Sequence, residues 1–328
     1  MRVLAMAHRW IPRHNAGAEV MLQAMLAALA ARGHTVDVVL SGQRADRYDI
    51  DGVAVWPGID PMPHLKRADV IVTHLESTPA ASKLGQWNWI PVVQVLHNTM
   101  QITRDGVLSG WPALVVANSE WMLADYQTHL GGALPPAIVC RPPVRAADYA
   151  TVPGDRVTLV NLRRMERSAG GGQMGKGAEL FWQLTRRLPG VDFLGVVGGY
   201  GAQDIRWAPN AEVIDHVPHQ LMRDLVYART RILLMPSSYE SWGRAAVEAM
   251  SSGIPVIAHP TPGLTEACAY AGIYVDRDDV GGWAAALQAL DDPGHYADMS
   301  ALARKRVLEL DPADDLNRWC DAVEAVAV

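Results

Sequence analysis

Two glutamates separated by seven residues are the side chains in this sequence best placed to do chemistry together. Glu240 lies in a loop rich in Pro, Ser and Gly, and Glu248 lies in the amphipathic run that follows Gly243. The apolar stretch 231–235 before them reads as a buried strand, so the pattern predicts a strand, a loop and then a helix over about 243–250. The start of such a helix presents unpaired backbone N–H groups and a partial positive charge, which suit a bound diphosphate.

The two carboxylates are spaced to flank such a diphosphate. Glu248 lies five residues past Gly243, or about 7–8 Å along a helix axis. One carboxylate can therefore face a sugar and the other a ribose, whose two hydroxyls a single carboxylate can accept. Gly243 would let the backbone approach the phosphates closely. The alternative interpretation is a surface helix with two solvated glutamates, and the strand–loop–Gly–helix order favours the ligand site.

The rest of the chain alternates short apolar runs with longer amphipathic stretches, a pattern typical of parallel α/β units. In the first half, strands are predicted at residues 2–7, 35–40, 53–56, 69–73, 91–96, 113–117 and 137–140. In the second half they are predicted at residues 157–161, 192–197, 212–215, 231–235, 254–258 and 272–275. Two doubly wound, Rossmann-like domains follow from this pattern, with a cleft between them as the expected ligand site.

The boundary between these domains is predicted in the proline-containing, aperiodic segment 141–155, which reads as a linker. The predicted domains are therefore residues 1–145 and 146–328. A helical tail over about 279–327 closes the chain and is able to reach back toward the first domain.

Composition narrows the function classes. The 328 residues are 49% hydrophobic and 20% charged, with no apolar run of the roughly 20 residues that a spanning helix needs. The N-terminus lacks the features of a signal peptide. We therefore expect a cytoplasmic protein, with peripheral membrane association left open. The three cysteines, Cys140, Cys268 and Cys320, lack metal-site spacing, so we expect reduced thiols and no metal.

Charge disfavours a dedicated nucleic-acid binder. Residues 1–145 carry 12 basic and 11 acidic side chains, and residues 146–328 carry 17 and 24. Binding to a phosphate backbone usually needs a basic stripe, which neither half shows. A modified nucleic-acid base stays open as a substrate.

The segment from Glu240 to Glu248, ESWGRAAVE, resembles the Glu-x7-Glu signature of retaining glycosyltransferases of the GT-B fold, in particular those of family 4. The resemblance implies two Rossmann-like domains facing across a cleft, with the nucleotide sugar held by the second. It also implies that Glu240 contacts the donor sugar and Glu248 the ribose. The residues between them that are implied in donor binding are Ser241, Trp242, Gly243 and Arg244.

Other segments match this family in the expected order. Gly17, in Ala-Gly-Ala-Glu, corresponds to a turn lying against the donor diphosphate, and His97 to a histidine near the phosphates and the reacting sugar. Lys176, in Lys-Gly, corresponds to a phosphate-binding lysine. The resemblance thus makes Glu240, His97 and Lys176 the catalytic candidates, and it implies no metal or cofactor, since the nucleotide sugar is a co-substrate.

One departure from the family concerns its second phosphate ligand. Members usually carry Gly-Arg shortly before Lys-Gly, whereas this chain has Arg163 and Arg164, then a Gly-rich stretch with Arg167, before Lys176. Any of the three arginines could be the phosphate partner. The stretch itself could be a mobile lid or a disordered surface loop.

The remaining candidates each have a second interpretation. His97 and His74 end predicted strands, where α/β proteins bind ligands, but either could be a core histidine. Arg9 and His14, assigned with His74 to the acceptor side, could simply be solvated. Two further donor-side assignments are Gly198, in a Gly-rich loop, and Val217, where the family holds the base. For the pair Trp87 and Trp89 we expect buried packing. Contact of these two side chains with a membrane or a sugar is the less favoured interpretation.

Together these features predict a metal-independent, retaining transfer of a sugar from a UDP- or GDP-type donor to an acceptor hydroxyl. The acceptor could be a glycan, a lipid-linked molecule, a small molecule, a protein or a modified nucleic-acid base. A nucleotide-sugar epimerase of the same fold and a non-catalytic nucleotide- or sugar-binding protein are the alternatives.

Overall fold

The computed structural model describes residues 1–42, 44–167 and 173–327. These residues divide into two compact units, one formed by Met1–Pro143 with Pro312–Val328 and the other by Val144–Asp311. Each unit is an α/β layer structure with its own hydrophobic core.

The first unit is built on a sheet of eight strands within its described residues. The strands are β1 (Arg2–Ala7), β2 (Thr35–Leu40), β3 (Tyr48–Ile50), β4 (Val53–Pro57), β5 (Val70–His74), β6 (Val92–Leu96), β7 (Leu114–Ala117) and β8 (Ala137–Val139). Their order is β3-β4-β2-β1-β5-β6-β7-β8. All pairs are parallel except the β3–β4 hairpin.

Helices cover both faces of this sheet, which is why its central strands are apolar on both sides. They are α1 (Gly17–Ala31), α2 (Met62–Leu65), α3 (Thr78–Asn88), α4 (Gln101–Gly110) and α5 (Glu120–His129). Helix α1 packs on one face through Val20, Leu22 and Met25. The opposite face is covered by Ala81 of α3 and Met122 of α5.

In the first unit, the chain reverses its direction of travel across the sheet between β1 and β5. Val3 of β1 pairs with Val36 of β2 on one side and with Val70 of β5 on the other. At such a reversal the loops after the two strands diverge and leave a crevice at their carboxyl ends, where α/β proteins bind ligands.

The second unit repeats this design. Its strands are β9 (Arg156–Val160), β10 (Glu166–Arg167), β11 (Gln173–Met174), β12 (Phe193–Val196), β13 (Ala211–Ile214), β14 (Thr230–Met235), β15 (Val256–Ala258) and β16 (Gly272–Tyr274). A parallel sheet has the order β13-β12-β9-β14-β15-β16, and β10 and β11 form a separate antiparallel pair. The order reverses between β9 and β14, as in dinucleotide-binding domains.

Helices of the second unit also lie on both faces of its sheet. They are α6 (Ala146–Tyr149), α7 (Ala178–Arg187), α8 (Met222–Leu225), α9 (Arg244–Met250), α10 (Pro262–Cys268), α11 (Val280–Ala289) and α12 (Pro293–Glu309). Helices α9, α10 and α12 pack on one face, and α7 and α11 on the other. The predicted fold class, two Rossmann-like α/β domains with parallel sheets, is confirmed.

The predicted helical tail at the C-terminus consists of three helices, α11, α12 and one more. Asp292-Pro293 and Asp311-Pro312 interrupt it, because proline lacks the N–H that an uninterrupted helix would need and is tolerated only in a first turn. The last helix, α13 (Pro312–Val326), belongs to the first unit. Its Trp319 is buried there and donates to the Met25 carbonyl oxygen at 2.8 Å.

The expectation of buried packing for Trp87 and Trp89 is wrong. They are 74% and 94% exposed. They lie where α3 ends, and Trp89 adopts the left-handed cap conformation with φ of 58°. This cap turns the chain toward β6 and leaves both rings outside the core.

Within the described residues, none of the helices combines the length and apolar character needed to cross a bilayer.

Candidate active site

The loops after β9 and β14 carry most of the residues predicted to bind the donor. These two strands flank the point where the strand order of the second unit reverses, so their loops border its expected ligand crevice. The loop after β14 holds Glu240, and α9, which follows it, holds Glu248. The predicted strand–loop–Gly–helix order is therefore present, with Gly243 at the N-cap of α9.

Lys176 and Glu240 form an ion pair. Lys176 Nζ lies 2.5 Å from Glu240 Oε1, which also accepts a hydrogen bond of 2.8 Å from the Ser237 hydroxyl. Burial acts against the charge on Lys176, but the Glu240 carboxylate holds the Lys176 pKa above its ordinary value. Lys176 is therefore a fixed cation at neutral pH, and 23% of its side chain stays exposed to a ligand.

Tight backbone contacts between two loops hold Lys176 in place. The Gly175 N–H donates to Ser238 Oγ and the Ser238 N–H donates to the Gly175 carbonyl oxygen, both at 3.0 Å. Gly177 caps α7 with φ of 88°, and a Cβ there would lie 2.3 Å from Pro236 Cγ. Only glycine fits this backbone conformation and this approach, so the Lys-Gly pair is explained by packing as well as by chemistry.

The loop that carries Glu240 is fixed from the other side by α10. A Cβ on Gly263 would lie 2.3 Å from the Glu240 carbonyl oxygen and 2.6 Å from the Ser241 carbonyl carbon. Gly243 has φ of 106°, and a Cβ there would meet Leu264 Cδ2 at 2.5 Å. Trp242, predicted to bind the donor, is only 2% exposed and packs in the core beneath the loop. The structure thus makes Trp242 a support for this loop.

We expect Gly263→Ala to lower both stability and activity, because backbone atoms cannot rotate away from the new methyl group. The loop carrying Glu240 would have to shift, at a cost of about 1–3 kcal/mol. Gly190→Ala is the matched control, since no neighbouring heavy atom lies within 4 Å of a Cβ there. Thermal unfolding and a transfer assay on both variants check this. Equal behaviour of the two variants would contradict the proposed packing.

Glu248 lies in a buried polar network. Its Oε1 accepts from Arg244 Nε at 2.5 Å and its Oε2 from the Tyr227 hydroxyl at 2.7 Å. Arg244 Nη2 donates in turn to the Tyr149 hydroxyl at 2.8 Å. Sequence reasoning found Glu248 and Arg244 but missed both tyrosines, because Tyr149 lies in the segment that reads as a linker and Tyr227 is in no motif.

Two of the arginines that precede Lys176, Arg163 and Arg164, already have partners within the second unit. Arg163 forms two hydrogen bonds to Glu166 Oε2, at 3.2 Å from Nε and 2.9 Å from Nη2. Arg164 is exposed and donates to the Gln203 carbonyl oxygen. The stretch predicted as a lid or a disordered loop is residues 165–175, whose described backbone forms the antiparallel pair β10–β11. The side chain of Arg167 and residues 168–172 lie outside the described residues. Of the three arginines, Arg163 is the one whose carbonyl accepts from the Lys176 N–H, at 3.3 Å.

Gly198 and Val217 border this region. A Cβ on Gly198 would lie 2.1 Å from Oδ1 of Asn161, the residue after β9, which has an unusual φ of 81°. Strain of this kind in a non-glycine residue is often found at functional sites. Val217 is buried and belongs to the same hydrophobic cluster as Tyr227.

In the first unit, the two candidate histidines contact each other. His74, at the end of β5, and His97, just after β6, join Nδ1 to Nε2 at 3.2 Å. Burial lowers the pKa of His74 to about 4 and holds that of His97 well below its ordinary value. Both rings are therefore neutral at pH 7, one donating to the other. His97 can offer a hydrogen bond to a ligand but not a positive charge.

The loop after β1 surrounds a buried carboxyl group that was not among the predicted site residues. Glu19, in the first turn of α1, is 6% exposed, and its Oε2 has no hydrogen-bond partner among the described residues. His14 Nε2 lies 3.7 Å from Glu19 Oε1. Arg9 is exposed, and Gly17 is the exposed first residue of α1. The motif Ala-Gly-Ala-Glu pointed to this turn, but its burial could not be read from the sequence.

Glu19 should make the stability of the protein depend on pH. Burial raises its pKa from 4.5 to about 7, so the folded chain binds more protons than the unfolded chain between these values. Stability is therefore lost as pH rises through this window, by about 3 kcal/mol at about 1.4 kcal/mol per unit. We expect Glu19→Gln to lose correspondingly less stability than wild type as the pH rises from 4.5 to about 7.

Thermal unfolding across this pH range checks the Glu19 prediction. Asp298→Asn, at an exposed position of α12, is the control and should follow the wild-type curve. Parallel curves for Glu19→Gln and wild type would show that Glu19 is ionised in the folded protein at neutral pH.

Comparisons with known proteins agree on the class of enzyme. Residues 174–292 match the sequence profile of the family described as "Glycosyl transferases group 1". A D-inositol 3-phosphate glycosyltransferase from Arthrobacter sp. (strain FB24) is 26% identical, over 88% of this chain and 85% of the relative. The enzyme of the same name from Mycolicibacterium smegmatis is 34% identical over 36% of this chain and 30% of its own length.

Solved structures share the fold over nearly the whole chain. HepE of Anabaena, in complex with UDP-glucose, has a TM-score of 0.76 at 16% identity, covering 99% of this chain and 100% of that one. Sucrose-phosphate synthase from Thermosynechococcus elongatus has a TM-score of 0.74 at 16% identity, covering 99% and 97%. The chain has the two α/β domains of a GT-B protein, and with the profile match and the sequence relatives it is a glycosyltransferase.

Proposed function

We propose that this enzyme transfers a sugar from a UDP- or GDP-type donor to an acceptor hydroxyl, with retention at the anomeric carbon and without a metal ion. The observation that carries the proposal is the Lys176–Glu240 pair beside α9, with Glu248 five residues past Gly243. Sequence relatives named as glycosyltransferases support it, as does a structure of the same fold solved in complex with UDP-glucose. The Glu-x7-Glu spacing further supports membership of family 4.

Charge on the leaving group is the main catalytic problem. The bond from the anomeric carbon to the β-phosphate oxygen breaks, and the acceptor oxygen bonds to the same carbon on the same face. The departing phosphate oxygen takes the acceptor proton, so no enzymic nucleophile is needed. Lys176 and an arginine, for which Arg163 is the best-placed candidate, would stabilise the diphosphate electrostatically.

The two glutamates would act on opposite ends of the donor. Glu240, with one oxygen shared between Lys176 and Ser237, would use its other oxygen to position sugar hydroxyls. Glu248 would anchor the ribose through hydrogen bonds from both hydroxyls. His97 is proposed to hydrogen-bond the reacting sugar as a neutral ring, while Arg9, His14 and His74 stay proposals for the acceptor.

The names of the sequence relatives give the search for the acceptor a starting point. The sequence relatives are named for D-inositol 3-phosphate, a phosphorylated polyol. We propose to test such small phosphorylated polyols first, followed by lipid-linked glycans, proteins and modified nucleic-acid bases.

A thermal-shift panel of nucleotides and nucleotide sugars tests the proposed function. Ligand at ~100 times its Kd should add about 2.7 kcal/mol, a shift of a few degrees for a protein of this size. NMR of the glycoside formed with an active acceptor should then show the anomeric configuration of the donor. No stabilisation by any nucleotide would overturn the proposal. Conversion of the donor without an acceptor would indicate an epimerase, and binding without turnover would indicate a non-catalytic protein.

A further inference from the structure

Each oxygen of the Glu248 carboxylate is held by a different side chain. Oε1 accepts from Arg244 Nε at 2.5 Å and Oε2 from the Tyr227 hydroxyl at 2.7 Å. Glu248 is only 5% exposed, and a buried carboxylate is stable only when it is paired and hydrogen-bonded. Arg244 and Tyr227 therefore fix both the charge and the orientation of this group.

A second layer fixes Arg244 and Tyr227 themselves. Arg244 Nη2 donates to the Tyr149 hydroxyl at 2.8 Å, and the rings of Tyr149 and Tyr227 meet edge to face with centroids 6.1 Å apart. Burial, with the Glu248 charge adding to it, raises the pKa of Tyr149 to about 12 and that of Tyr227 well above its ordinary value. Both tyrosines stay protonated, so Tyr227 is a permanent donor to Glu248.

The carboxylate keeps room for a further hydrogen bond. An ionised carboxylate has about four lone-pair sites, and Arg244, Tyr227 and Tyr149 hydrogen-bond to it. A ribose hydroxyl can therefore still be accepted. Arg244 Nη1 is also buried and has no hydrogen-bond partner within the described part of the chain, so the network includes an unsatisfied donor next to the same carboxylate.

We propose that Arg244 and Tyr227 are positioning residues that preset Glu248 for a ribose diol and thereby give the enzyme its preference for ribonucleotide over deoxyribonucleotide donors. This inference rests on the proposed function, since it takes Glu248 as the ribose anchor. The inference goes beyond the proposed function because it identifies Tyr227, a residue outside the Glu-x7-Glu segment, as one that sets specificity at the ribose of the nucleotide.

The test compares the Kd of UDP and GDP with those of their 2′-deoxy counterparts by calorimetry. We expect wild type to bind the ribonucleotide at least ~10-fold more tightly, because the deoxy form leaves a buried carboxylate site unpaired. Tyr227→Phe keeps the ring and removes only the hydroxyl, so it should fold and should reduce this preference ~3-fold or more. Arg244→Lys keeps the charge and should retain an intermediate preference.

Tyr270→Phe is the matched control, since it removes a tyrosine–glutamate hydrogen bond, to Glu309, at an exposed position. It should keep the wild-type preference. A purely structural role of Tyr227 would weaken both nucleotides equally and leave their ratio unchanged, which would overturn the inference. Glu248→Ala tests the proposed ribose anchor separately from the role of Tyr227. If its preference equals that of wild type, or if no nucleotide binds wild type, the proposed ribose anchor itself is wrong.

Discussion

Replacing Lys176 with alanine is expected to lower kcat for sugar transfer by about 10²–10³-fold, the usual effect of removing one fixed donor to a developing negative charge. The Glu240 carboxylate holds the pKa of Lys176 above its ordinary value. Lys176 is therefore already charged and in position when the diphosphate departs. Its loss also leaves the Glu240 carboxylate uncompensated next to that diphosphate. The measurement is steady-state transfer at saturating donor.

The exposed Lys305 gives the matched control for this prediction. Its Nζ lies over the Tyr270 ring at 5.4 Å, so Lys305→Ala removes a lysine of the same unit without touching the predicted site. Glu240→Ala should also lower kcat strongly, and the double variant with Lys176→Ala should be little worse than either single one, because paired residues act as a unit. If kcat for Lys176→Ala equals that for Lys305→Ala, Lys176 does not contribute to catalysis and the prediction is wrong.

Replacing Glu248 with alanine is expected to raise the donor KM by about 10–100-fold while changing kcat much less. Hydrogen bonds to the ribose are made equally in the ground state and the transition state, so their loss weakens binding without raising the chemical barrier. The change also leaves Arg244 as a buried charge without its carboxylate, so thermal unfolding of Glu248→Ala must be measured beside its kinetics.

Glu248→Gln refines this second prediction. It retains an oxygen that can accept from Arg244 or Tyr227 and keeps the volume of the side chain, so it should fold more stably than Glu248→Ala. It should still raise the donor KM, since the amide accepts fewer hydroxyls than the carboxylate. A large fall in kcat with an unchanged KM, in both variants, would place Glu248 at the reacting centre and not at the ribose.

The sequence was sufficient to predict the local elements of the site. The apolar run before Glu240 and the Gly243-started helix after it appear as β14 and α9, because hydrophobic periodicity and glycine caps are local signals. Lys-Gly opening a helix likewise appears at α7. The strands of both sheets were found to within one or two residues, except the short β3 and the β10–β11 pair.

Contacts between distant residues could not be predicted in this way. Lys176 and Glu240 are 64 residues apart in sequence, and their pairing depends on two loops meeting at the end of β9 and β14. Tyr227 carries no motif, so nothing marked it as a partner of Glu248. The burial of Glu19 depends on how α1 packs on its sheet, while the exposure of Trp87 and Trp89 depends on where α3 ends. Tertiary packing decides each of these.

A crystal of the protein soaked with its nucleotide-sugar donor tests the central claim most directly. The β-phosphate should lie within hydrogen-bond distance of Lys176 Nζ and near the start of α9, with the sugar beside Glu240 and the two ribose hydroxyls on Glu248. A nucleotide bound at another edge of the second unit, or in the first unit with both glutamates unoccupied, would contradict the account.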